Sequence, residues 1–187
     1  EIRESKDVSP KKSPLAVVTG GTRGIGLAIC NRLSEDGYRI ATTYRSSEEH
    51  ASGFRNNFPE SLCLKSDVGN QADTEKTIDQ ILQRMGTPDV LVINAGGEPL
   101  YGDSADGDFS RFASQIERQL AGTHRLASGF LPHMSDRGSG AVIGIGSVFS
   151  EGVPPVGMTP YVVAKSALTA YLKCLAVEYG PKGIRCN

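Results

Sequence analysis

Short apolar runs alternating with amphipathic stretches set the rhythm of this chain. The first run, Leu15 to Thr19 (LAVVT), passes straight into glycines, the pattern of a buried strand feeding a tight turn. Residues 39–44, 61–66, 89–94 and 141–147 have the same β-branched and apolar character, and GIRCN at 183–187 reads as the start of a sixth strand. Between them, apolar residues recur at helical spacing over 24–34, 48–57, 71–85, about 109–130 and about 161–179. Pro132, in FLPHM, marks the expected end of the fourth of these helices. In the last, Leu168, Leu172, Leu175 and Tyr179 share a face and belong to the core or to a subunit contact. Strand and helix alternating in this way predict an α/β fold: a doubly wound parallel sheet with helices on both faces, three layers in all. Ligands of such a sheet bind beyond the carboxyl ends of the strands, so the chemistry should lie just after them.

Composition narrows the picture. A chain of 187 residues, 39% hydrophobic, suits one cored domain, assigned to 15–187, preceded by a flexible polar tail at 1–14 that lacks the apolar core of a signal peptide. With 20 basic and 21 acidic residues and no basic stripe, nucleic acid is not an expected ligand. No apolar run approaches the ~20 residues of a membrane span, and a cytoplasmic protein is expected. Cys30, Cys63, Cys174 and Cys186 lie far apart with no CxxC spacing and read as buried free thiols. His124 and His133 have no ligand-spaced partner and His50 sits in an acidic stretch, so no metal site is expected.

Candidate chemistry begins at TGGTRGIG, residues 19–26, directly after the first strand. A strand that turns on glycines into a helix offers free backbone N–H groups and a positive dipole end to a pyrophosphate. Gly20 would make the turn, Gly24 would admit the phosphates and Gly26 would let the helix pack closely, with Thr22, Arg23 and Ile25 between them. The second strand ends in Tyr44-Arg45-Ser46, with no carboxylate before Glu48. Arg45 and Arg23 suit a ribose 2′-phosphate, so NADP(H) is expected in preference to NAD(H). Asp67, with Val68, follows the third strand, placed to accept from an adenine amino group or to cap a helix. Asn94, Ala95 and Gly96 of NAGG leave room for a flat cofactor after the fourth, and the acidic loop 98–108 shapes the rim or is solvated.

Ser147 ends the fifth run, and Tyr161 and Lys165, four apart, share a helix face. A phenol titrates near 10, so a tyrosine that exchanges protons at neutral pH needs a neighbouring cation, which Lys165 supplies. Tyr161 and Lys165 are expected to touch the cofactor as well, Lys165 as a donor to the nicotinamide ribose, while Ser147 orients a carbonyl.

TGGTRGIG, NAGG, GSV and YVVAK, in this order, resemble the motifs of the short-chain dehydrogenase/reductase family, and more narrowly of NADP-dependent 3-oxoacyl-acyl-carrier-protein reductases. The resemblance runs from about Leu15 to the end. It implies a Rossmann-type fold, catalytic Ser147, Tyr161 and Lys165, and a homotetramer or homodimer. It also implies a place in fatty acid biosynthesis, with acyl carrier protein as a partner and Arg111, Arg118 and Arg125 as weak candidates for its docking patch. Gln119 stands where the family commonly has an Asn that holds a proton-relay water, and is carried as a fourth catalytic candidate. The family pattern continues past the position of Asn187 into a substrate-covering segment, so by this resemblance much of the substrate pocket lies outside this sequence. The expected activity is NADPH-dependent reduction of a ketone or 3-oxoacyl substrate. The alternatives are the same chemistry run oxidatively, or a non-catalytic NADPH-binding homologue.

Overall fold

The computed structural model describes residues 13–102, 104–105 and 108–187; all but the last two residues of the polar tail, and parts of the acidic loop, lie outside them. Its six strands are β1 (Leu15–Thr19), β2 (Arg39–Tyr44), β3 (Leu62–Lys65), β4 (Val90–Ile93), β5 (Gly140–Gly144) and β6 (Ile184–Cys186). They form one parallel sheet in the order β3-β2-β1-β4-β5-β6. β1 is buried along its whole length because β2 and β4 flank it and helices cover both faces. The order reverses between β1 and β4, which opens the crevice where such sheets bind ligands.

Alternate residues of the strands feed two cores. Leu15, Val17, Leu91 and Val142 face α3 (Gln71–Arg84), α5 (Gly122–Arg137) and α6 (Thr159–Tyr179), whose Ile78, Ile81, Leu126, Phe130, Leu168 and Leu172 complete that layer. Ala16, Val18 and Val92 face α1 (Gly24–Glu35) and α2 (Glu48–Asn57) through Cys30 and Phe54. Ile143, on this second face of β5, is 38% exposed. Leu168, Leu172 and Leu175 are buried, so that stripe of α6 is core, with Tyr179 packed against it.

Three expectations are corrected. Helix α4 (Ser110–Ile116) continues through a π-helical turn, Glu117–Ala121, into α5 and ends at Arg137, so Pro132 lies inside the helix. Proline costs the bond to the Ser128 carbonyl, but Phe130, Leu131 and Met134 on either side are buried in the core and hold the helix through it. The helix stops instead at Gly138, left-handed at φ 73°. β5 ends at Gly144 and not at Ser147: Ile145 N still donates to Ile93 O (2.9 Å), but β4 stops there and nothing on that side continues the ladder. All four cysteines are free, but Cys174 is exposed and Cys63 half-buried, because helix and edge-strand positions give each a solvent-facing side.

Candidate active site

Close backbone approaches fix the turn after β1. Gly20 has φ 67° and Gly24 φ 55°, left-handed conformations that favour glycine. A Cβ on Gly26 would lie 2.3 Å from Gly20 O and 2.6 Å from Asn94 Nδ2, so α1 can approach the turn only without a side chain there. A Cβ on Gly24 would meet nothing within 4 Å, which leaves that backbone open to the cleft. Gly21, which the sequence reading passed over, is as constrained: a Cβ would sit 2.3 Å from Thr42 Oγ1. Its N–H donates to that hydroxyl (2.9 Å), which donates to Val18 O (2.7 Å). The first turn of α1 has no side-chain cap, so its N–H groups face the cleft unspent.

Asn94 does more than leave space. Its Nδ2 donates to Thr19 O (2.9 Å) and Gly20 O (3.3 Å), while Thr19 Oγ1 accepts from Asn94 N (3.0 Å) and Ala95 N (2.9 Å). The ends of β1 and β4 are tied together by these bonds, and the cleft keeps its shape without a ligand.

Every residue assigned to the cofactor, apart from Tyr161 and Lys165, lines one cleft of about 620 Å³. Gly97, which closes the NAGG run, and Glu98, which opens the loop expected at the rim, line it too, and so do Thr43, Ser47, Ser66, Gly69 and Arg118, which the sequence did not mark; strand position hid the first of these, and only topology brings in Arg118. At the β2 end, Tyr44 Oη donates to Glu48 Oε2 (2.6 Å), and Arg55 Nη2 donates to Glu48 Oε1. These bonds hold the Glu48 carboxyl below the usual carboxylate range, the tyrosine contributing most, and the bond to Glu48 pushes the Tyr44 phenol up. Glu48 is therefore engaged away from the cleft, whereas Arg23 and Arg45 line it with no side-chain partner among the described residues. Asp67 caps its own turn, Oδ1 accepting from Gly69 N (3.0 Å), and the cap of α3 is Asn70, which accepts from Asp73 N (3.0 Å). The helix-capping role weighed for Asp67 thus falls to Asn70, three residues closer to the helix.

At the β5 end, Ser147 opens a 3₁₀ turn, Val148–Ser150, with its Oγ accepting from Phe149 N (3.3 Å). Tyr161 lies in the first turn of α6, which packs on β5 and this turn. Lys165 is 5% exposed, and burial lowers its pKa from the ordinary lysine value of 10.5. Its Nζ lies 5.9 Å from the Tyr161 ring centroid and donates to Ile145 O (2.6 Å), an anchor the sequence did not show. Gln119 sits in the π turn, 1% exposed, with neither amide atom bonded among the described residues, and a Cβ on Gly96 would lie 2.5 Å from its Oε1. The structure thus puts Gln119 against the cofactor loop.

His50 pairs with Ser47 (2.6 Å) and His124 with Tyr171 (3.0 Å). Among the described residues there is no group of three or more metal-ligating side chains, and no helix is long and apolar enough to cross a membrane.

Residues 14–187 match the family model described as short chain dehydrogenase. Among curated proteins, the chain is 33% identical over 184 residues to dehydrogenase/reductase SDR family member 4 of Mus musculus, covering 96% of this chain and 65% of that protein. It is 30% identical to granaticin polyketide synthase putative ketoacyl reductase 2 of Streptomyces violaceoruber, covering 94% of this chain and 71% of the relative. The chain therefore spans about two thirds of the length of these relatives. Among solved structures, a blue fluorescent protein from a metagenomic library, in complex with NADPH, superposes with a TM-score of 0.85 at 31% identity over 93% of this chain and 72% of that one. L-Sorbose reductase from Gluconobacter frateurii, complexed with NADPH and L-sorbose, gives 0.85 at 28% identity over 94% and 67%.

Proposed function

The chain belongs to the short-chain dehydrogenase family of oxidoreductases, and from that premise we propose that it is an NADPH-dependent reductase converting a ketone or 3-oxoacyl substrate to an alcohol. The observation that carries the cofactor is the charge at the β2 end: Glu48 is bound to Tyr44 and Arg55, while Arg23 and Arg45 line the cleft. Two guanidiniums lining the cleft, with the Glu48 carboxylate engaged elsewhere, suit a 2′-phosphate. NADPH in two structural neighbours supports the same reading, and a ketoacyl reductase relative supports the substrate class.

The cleft would hold the pyrophosphate at the open backbone of Gly24 and the N-terminus of α1, and the base beyond Asp67 and Val68. When bound, the nicotinamide supplies the hydride. The chain's own residues handle the proton and the carbonyl. Tyr161 gives its phenolic proton to the nascent alkoxide oxygen, and the buried Lys165 ammonium stabilises the phenolate left behind. The bond from Lys165 to Ile145 O fixes that ammonium against β5. The Ser147 oxygen already accepts from Phe149 N, so its proton is left to polarise the carbonyl. The exposed Val148, Val153 and Val156 beyond Ser147 offer an acyl chain an apolar rim.

The test is NADPH oxidation by the protein expressed from its complete gene, with a short β-ketoacyl thioester, run beside NADH and beside Tyr161→Phe. Turnover that prefers NADPH and collapses in the variant is expected. NADPH binding without reduction of any ketone would mark a binding protein instead.

A further inference from the structure

We propose that Arg118 is a specificity-determining residue of the nucleotide cleft, its guanidinium stacking over the purine base. This rests on the dinucleotide reading above and adds to it a contact that no motif announces. The π turn that carries Arg118 is pinned between the loops after β3 and β4. A Cβ on Gly122 would lie 2.5 Å from Val68 O, Gly96 lies under Gln119 Oε1 at the same would-be distance, and Arg125 Nη1 donates to Gly69 O (2.9 Å). With Gln119 buried against Gly96, its exposed neighbour Arg118 lines the same cleft as Val68, Gly69 and Gly96.

Position decides which part of the ligand it meets. The glycine turn and the β2 end take the phosphates and the ribose, and the nicotinamide must reach Tyr161 beside β5. The space bounded by the β3 and β4 loops is what remains for the base, and Arg118 stands at its edge. Among the described residues its guanidinium has no hydrogen-bond or ion-pair partner, so a planar cation is left for a planar π face. Arg125 has spent its guanidinium on Gly69, which is why Arg118 and not Arg125 takes this role.

Calorimetry with NADPH, 2′,5′-ADP and reduced nicotinamide mononucleotide, on wild type, Arg118→Ala and Arg118→Lys, tests this. Stacking predicts that both variants bind NADPH and 2′,5′-ADP about fivefold more weakly, because lysine keeps the charge and loses the plane. The mononucleotide, which has no purine, should bind all three alike. Unchanged affinities in both variants overturn the proposal, as does full recovery with lysine, which would mean a simple charge contact. Equal weakening of the mononucleotide also overturns it. If wild type itself binds no NADPH, the dinucleotide reading falls and this falls with it, an outcome distinct from a wild type that binds and variants that do not differ. Ligand-free thermal unfolding of the variants should match wild type, since Arg118 is exposed.

Discussion

At the glycine turn, the hydroxyls of Thr19 and Thr42 and the amide of Asn94 bond the backbone of β1, β4 and the turn within 3.4 Å, and four glycines are constrained, Gly20 and Gly24 by φ, Gly21 and Gly26 by contact. At the β5–α6 end, the polar groups are few and their apolar neighbours bare. Val148 is 78% exposed, Val153 95% and Val156 100%, and the buried amide of Gln119 has no partner among the described residues. The first region is a shape made of backbone and held by its own hydrogen bonds. The second is a handful of side chains on a scaffold, with Lys165 fixed, Gln119 buried, Ser147 and Tyr161 half-buried, and the valines beyond them open to solvent. On the proposed reading, binding would depend on packing that leaves no room for a Cβ at Gly21 or Gly26, whereas catalysis would depend on individual functional groups that can be removed without disturbing the fold.

Substitutions on the two sides should therefore fail in different ways. Tyr161→Phe should lower turnover by about 10²–10⁴-fold while NADPH affinity and the urea midpoint stay at wild-type values; a matching loss of binding would erase the contrast. Gly26→Ala should do the reverse. Its Cβ would meet Gly20 O, and urea unfolding should show a loss of about 2 kcal/mol together with weakened nucleotide binding. A smaller effect is expected at the β2 end, where Arg45→Ala or Arg23→Ala should narrow the preference for NADPH over NADH by roughly tenfold, read from kcat/KM with each cofactor.

The smallest effect concerns Lys165. Its folded pKa is lowered by burial, so between that value and 10.5 the unfolded chain binds more protons than the folded one. Stability should then rise with pH through this alkaline window, as the cost of burying the charge is relieved. In Lys165→Met that rise should disappear from urea midpoints measured between neutral pH and 10.5; its persistence would assign the slope to another group.

The sheet, the glycine turn and the Tyr161/Lys165 pair were legible because each rests on local periodicity or on spacing within one element. The sequence was silent where partners come from far along the chain. For Asp67 the spacing left open an adenine contact or a helix cap, and the cap is Asn70, whose side chain reaches Asp73 N, while Asp67 lines the cleft. Pro132 looked like a helix end, but burial of Phe130 and Met134 carries the helix past it. Gly21 stood beside more obvious glycines, and its constraint comes from Thr42 on the neighbouring strand.

By itself, then, the sequence determined the order of the elements and the residue types that carry chemistry, because hydrophobic period and glycine placement act over a few residues. Tertiary structure alone decided what each polar group is free to do. It engaged Glu48 with Tyr44 and Arg55, left Arg23 and Arg45 to the cleft, anchored Lys165 on Ile145 and brought Arg118 into the lining of that cleft. The physical reason is that hydrogen bonds and burial are satisfied in space, between residues that only the folded sheet brings within reach.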